Sequence, residues 1–82
     1  MVVPSSNDHA NLMELLGISL NLNLASCWLQ LGDFKAAKNY CSLVLRLDFF
    51  NVKARFRKAC ALLNMKLVED ASKDLLVALN PT

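Results

Sequence analysis

Shifted by 34 residues, the sequence meets itself. Ala25 falls on Ala59, Leu29 on Leu63, Leu31 on Met65, Ala37 on Ala71, Leu43 on Val77 and Leu45 on Leu79, while Trp28 meets Leu62. Small residues recur where two helices would cross closely, and large apolar residues recur where a neighbouring helix would pack. A period of 34 is the length of two short antiparallel helices with their turns. It also resolves a local ambiguity. Ile18 to Leu24 alternates apolar and polar residues as a strand does, yet Leu20, Leu24, Trp28 and Leu31 lie at helical spacings. The repeat selects the helix.

Turn formers are scarce. Gly17, Gly32, Pro4 and Pro81 are the only glycines and prolines, too few for an all-β domain that must turn every 8–12 residues. The fold class predicted is all-α, with four helices at about 9–31, 34–47, 52–64 and 68–79 pairing as antiparallel hairpins of a two-repeat solenoid. Gly32 provides a left-handed stop and Asp33 a cap for the next helix, and Asn51 caps the third. The turn at Asn64–Leu67 lacks a glycine, and Asn80-Pro81 ends the last helix. Residues 1–7 are expected to form a disordered tail and 8–82 one domain, with repeats at about 18–51 and 52–82.

With 55% hydrophobic residues, the chain has too much apolar surface for a disordered protein. Its net charge of +2 conceals a gradient: residues 1–34 carry three acids and no base, residues 35–82 nine bases against four acids. The uncharged run 15–32 touches the lower limit of a membrane span. It contains Ser19, Asn21, Asn23, Ser26 and Gln30, which are costly in lipid, so a buried helix and no membrane association are expected. The start of the chain has no positive region of the kind a secretory signal needs. Cys27, Cys41 and Cys60 are odd in number and spaced for neither a disulfide framework nor a zinc site; three buried thiols in a reducing, cytoplasmic compartment are expected.

Catalytic chemistry has little to work with. His9 is the single histidine and sits near the N-terminus, Asp70 and Asp74 read as a solvated helix face, and two glycines cannot build a phosphate loop. No enzyme activity, cofactor or metal site is expected.

Asn23-Leu24-Ala25-Ser26-Cys27-Trp28-Leu29-Gln30-Leu31-Gly32-Asp33-Phe34, followed by Ala37, Leu45 and Leu47-Asp48, resembles a tetratricopeptide repeat. Lys53-Ala54-Arg55-Phe56-Arg57-Lys58-Ala59, followed by Leu62, Ala71 and Ala78, resembles the next one. Over residues 18–79 the chain is similar to the tetratricopeptide domains of large immunophilin co-chaperones, especially the plant ones. That domain normally has three repeats and a closing helix. Here residues 1–17 do not match the end of a first repeat, Pro81 comes about two residues earlier than the family's repeat ending, and no isomerase domain is present.

Lys53 and Arg57 lie four apart and project from one helix face, and Asn23 holds the position of Arg57 one repeat earlier. Stacked, an amide and two cations would converge on carboxylate oxygens. The resemblance implies that these three belong to a five-position carboxylate clamp for the acidic C-terminal tail of a heat-shock chaperone, two positions of which have no counterpart here. Arg55 and Lys58 read as surface cations off that face. Two alternatives stand beside the clamp. One is a non-clamping module that assembles with another protein or with itself, as a homo-oligomer or helix-swapped dimer, because Leu12, Met13, Leu15, Leu16 and Ile18 would face the missing repeat. The other is a weak nucleic-acid binder using Lys53, Arg55, Arg57, Lys58 and Lys66 around Phe56, which a pI near 8.6 and the lack of a nucleic-acid motif disfavour.

Overall fold

The computed structural model describes residues 6–79, with side chains from residue 11. The helices are α1 (Ser6–Leu31), α2 (Phe34–Leu47), α3 (Val52–Asn64) and α4 (Val68–Leu79). They form an all-α arrangement of tetratricopeptide-like helical hairpins, α1 with α2 and α3 with α4. The second hairpin stacks on the first through α2 and α1 against α3. Only the first boundary departs from expectation: α1 begins at Ser6, so Ser6 and Asn7 are helical, while residues 1–5 and the Asn80-Pro81 stop lie outside the described residues.

Both hairpin turns carry the same hydrogen bonds, displaced by 34 residues. In the first, the Asp33 N–H donates to the Trp28 carbonyl (3.0 Å) and the Gly32 N–H to Leu29 (3.1 Å); in the second, Leu67 donates to Leu62 (2.8 Å) and Lys66 to Leu63 (3.0 Å). This is the Schellman pattern, which satisfies the last carbonyls of a helix and requires a left-handed residue. Gly32 takes that conformation at φ 82° and Lys66 at φ 63°. The absence of a glycine from the second turn is therefore met by strain in a lysine. Helix starts differ as well. Asp33 accepts the Ala36 N–H (3.1 Å) and Asn51 accepts that of Ala54 (2.9 Å), whereas Leu67, one period after Asp33, has no side chain able to cap α4.

The core is thin and made of small residues. Ala25, Ala37, Ala54, Ala59, Ala61 and Ala71 are all but inaccessible, and the largest fully buried side chains are Val44 and Cys41. One cluster joins Leu22, Ala25, Cys41, Val44 and Leu45 to Ala54 of α3, and a smaller one joins Ala59, Leu62 and Ala71. Trp28 and Phe34, at repeat packing positions, are half-buried. The Cα trace measures 50 × 32 × 14 Å with a radius of gyration of 14.4 Å, against about 12 Å for a compact domain of this length.

α1 is less buried than its uncharged run suggested. Segment Asn11–Leu31 is long and apolar enough to cross a membrane by length and composition, and only 11% of its 18-residue apolar window is buried. Leu12, Met13, Leu15, Leu16 and Leu20 are exposed, whereas Ile18 packs against the first cluster and Leu22 and Ala25 belong to it. The physical reason is length: at 26 residues α1 is nearly twice as long as the 14-residue α2. Its N-terminal half therefore has no partner helix.

Replacing Lys66 by Gly should stabilise the fold by about 0.5–1 kcal/mol, since it relieves the left-handed strain at a modest entropic cost. Gly32→Ala should destabilise it by about 1 kcal/mol, although a Cβ there meets nothing within 4 Å. Urea denaturation of the two variants checks the pair, and opposite shifts of the midpoint are expected.

Candidate functional site

Asn23, Lys53 and Arg57 line one cleft of about 240 Å³ between α1 and α3, together with Leu15, Ile18, Ser19 and Leu22. The 34-residue offset explains the meeting: α1 and α3 are equivalent helices lying side by side, so Asn23 and Arg57 stand at matching heights. Lys53 is one turn before Arg57 on α3 and is exposed, as is Asn23. Among the described residues Lys53 makes no ion pair. Its ammonium faces water beside an apolar wall.

Arg57 is held differently from the expectation that it project freely. It is half-buried, and its Nη1 donates to the Leu22 carbonyl of α1 at 2.8 Å. That oxygen sits in mid-helix, where it can accept a second hydrogen bond through its other lone pair. The contact ties the second hairpin to the first and fixes the guanidinium at the cleft, leaving its other N–H groups available for an anion. The cleft can thus present one amide, one ammonium and one preorganised guanidinium to a carboxylate, with Leu15 and Ile18 against the ligand's apolar atoms.

Arg55 corrects the sequence reading most. Expected on the surface, it is buried, and its Nη1 donates to Asp74 Oδ1 of α4 at 2.6 Å. Nε and Nη2 both donate to the Phe49 carbonyl, at 3.1 and 2.9 Å, and the guanidinium lies 4.3 Å from the centre of the Phe49 ring. Asp74, read as part of a solvated face with Asp70, is buried under this pair and also receives Lys58 at 3.5 Å. Asp70 itself is exposed. One guanidinium therefore bridges α3, the loop after α2, and α4. A larger cleft of about 340 Å³ opens over the pair, where Lys38, Lys58 and Lys73 are offset by Asp70 and Asp74. No local signal marks the pair: Arg55 and Asp74 are 19 apart on different helices, and their images one repeat earlier, Asn21 and Tyr40, are not a charge pair.

Two of the three cysteines also depart from expectation. Cys41 is buried, but Cys27 and Cys60 are exposed. Cys27 lies on a side of α1 that none of the described helices covers, and Cys60 lies on an exposed face of α3, where Asn64 Nδ2 donates to its sulfur at 3.8 Å. Burial pushes the Cys41 thiol up from 9.0 to about 11. Among the described residues, no group of three or more His, Cys, Asp or Glu side chains is placed to hold a metal ion.

No protein-family profile matches the chain, and neither does any solved structure. A curated human protein, peptidyl-prolyl cis-trans isomerase FKBP4, is 39% identical to it over 69 residues, a stretch covering 84% of this chain and 15% of that protein. The chain therefore spans a small part of the relative that it matches. The likeness fits a tetratricopeptide-like helical domain.

Asp74→Ala should destabilise the fold by about 3–5 kcal/mol, because it strands Arg55 as an unpaired buried charge; replacing Arg55 and Asp74 together by Met and Leu should recover most of that loss. Chemical denaturation of the single and double variants measures the difference. Native thiol labelling should be fast at Cys27 and Cys60 and slow at Cys41. The neutral Cys41 thiol favours the folded state below pH 9, and this contribution is lost as the pH rises toward 11, so protection of Cys41 should fall across that interval.

Proposed function

We propose that this chain is a non-catalytic, co-chaperone-type module that binds the acidic C-terminal end of a partner protein, a heat-shock chaperone tail by resemblance, through Asn23, Lys53 and Arg57. The observation that carries the proposal is their convergence: three side chains from two helices line a single cleft, with Arg57 anchored on the Leu22 carbonyl. The plant-type likeness of residues 18–79 belongs to the same proposal, as does a reducing, cytoplasmic setting, which the three free thiols favour.

Three contacts are weaker than five. At about 1–3 kcal/mol for each charge-assisted bond, losing two moves a micromolar dissociation constant toward the millimolar range. The nucleic-acid alternative is weakened by the burial of Arg55 and by the Lys58–Asp74 contact, which leave Lys53, Arg57 and Lys66 as the uncommitted cations of the 49–68 patch. That is a small footprint for phosphate binding.

Titration with a short acidic peptide bearing a free or an amidated C-terminus tests the clamp. The free form should bind at least about tenfold more tightly, and added salt should weaken it. Lys53→Ala and Arg57→Lys should each reduce binding, the latter by losing the fork geometry, whereas exposed Lys35→Ala and Arg46→Ala on α2 should not. Equal binding of the two peptide forms would discard the clamp.

A further inference from the structure

Some exposed residues at the two ends of the chain, Leu20 and Cys27 at one and Phe56 and Leu79 at the other, are 34-residue images of residues buried in its middle. Within the chain, Leu22, Ala25, Cys41, Val44 and Leu45 of the first hairpin form the seat on which Ala54 of α3 is buried. Their images are Phe56, Ala59, Leu75, Ala78 and Leu79 of the second hairpin. There Ala59 and Ala78 are buried within the hairpin, but Phe56 and Leu79 are exposed and Leu75 is half-covered, and none of the described residues fills the seat. At the other end, the images of the buried Ala54 and Ala61 are Leu20 and Cys27, both exposed on α1.

The chain therefore carries both halves of its own internal interface, one open at each end. Volume is compatible, since the image of Val44 is the smaller Ala78, which leaves room where Leu20 is larger than Ala54. Charge is complementary too. Along Asn11–Leu31, α1 carries Glu14 and no base, while α3 and α4 together carry Lys53, Arg57, Lys58 and Lys73 against Glu69 and Asp70, beside the buried Arg55–Asp74 pair, and so keep an excess of positive charge.

We propose that the chain stacks head to tail on copies of itself, with α1 of one copy docking on α3 and α4 of the next and its Leu20 seated as Ala54 is seated within the chain. The occupant of both open faces is thus a second copy in a heterologous contact, which propagates instead of closing. A helix-swapped dimer fits less well, because the Gly32-Asp33 turn that would have to open is closed by the Schellman bonds and the Asp33 cap. An isologous α1–α1 contact would bring like charges together. The proposal does not depend on the clamp.

Cys27 reports the contact directly. Taking the place of Ala61, which is fully buried, it should become protected as concentration rises, its labelling slowing by roughly tenfold once most chains are stacked. Cys60, one turn after Phe56 on α3 and the image of the half-buried Ser26, should slow in the same samples from the other side of the contact. Leu20→Glu closes one face and Phe56→Glu the other, at exposed positions where circular dichroism should show unchanged helicity. Each variant alone should be monomeric by light scattering, and an equimolar mixture should give a one-to-one heterodimer through the remaining intact pair of faces. The proposal is overturned by a wild-type chain that stays monomeric at high micromolar concentration, by concentration-independent labelling of Cys27, by slowing of Cys27 that persists in the Leu20→Glu variant, by self-association of either variant alone, or by a mixture that does not pair.

Discussion

Six alanines that are at most 1% exposed set the spacing of every helix pair in this molecule: Ala25, Ala37, Ala54, Ala59, Ala61 and Ala71. A methyl group at a crossing lets two backbones approach closely, so each hairpin closes on small contacts instead of on a deep hydrophobic interior. The consequence is a 14 Å slab whose large apolar residues lie mostly at its faces. Dispersion at the alanine contacts holds the layer together, but it cannot cover Leu12, Leu16, Phe56 or Leu79. Both the groove between α1 and α3 and the two open ends follow from that geometry.

Against so thin a core, individual polar ties matter more than usual. Arg55 reaches Asp74 and the Phe49 carbonyl, locking α3 to α4 and to the preceding loop, while Arg57 reaches the Leu22 carbonyl and locks the second hairpin to the first. These two arginines stand two residues apart on one helix and do different work because they point to different sides of it. One is withdrawn from solvent as a structural bridge. The other remains at a cleft, held but not exhausted.

Much of this was legible in the sequence because repetition is a stronger signal than local propensity. The 34-residue offset overrode the strand-like alternation of Ile18–Leu24 and gave four helices, and Asp33 and Asn51 cap as their types predict. The convergence of Asn23, Lys53 and Arg57 on one cleft was legible for the same reason. What was not legible required knowing both ends of a contact. An arginine is counted as surface until a buried acid is placed opposite it, and Asp74 is 19 residues away on another helix. Cys27 reads as a core thiol because the number and spacing of the three cysteines fit neither a disulfide framework nor a zinc site, but burial needs a helix on that side, and none of the described residues supplies one. Lys66 could not be read as left-handed from its type, only from its place one period after Gly32.

The sequence separations of the ties also bear on how the chain reaches its fold. The Arg55–Asp74 bridge spans 19 residues and each Schellman bond only a few, so both hairpins are closed by local contacts whose loop entropy is small. The Arg57–Leu22 bond, spanning 35 residues, exists only after the hairpins have docked. A hierarchy of this kind favours rapid formation of the two halves followed by their association, the behaviour of proteins with low contact order. Arg57 accordingly belongs to the late step, and it acts on the lifetime of the docked state more than on the rate at which either hairpin forms.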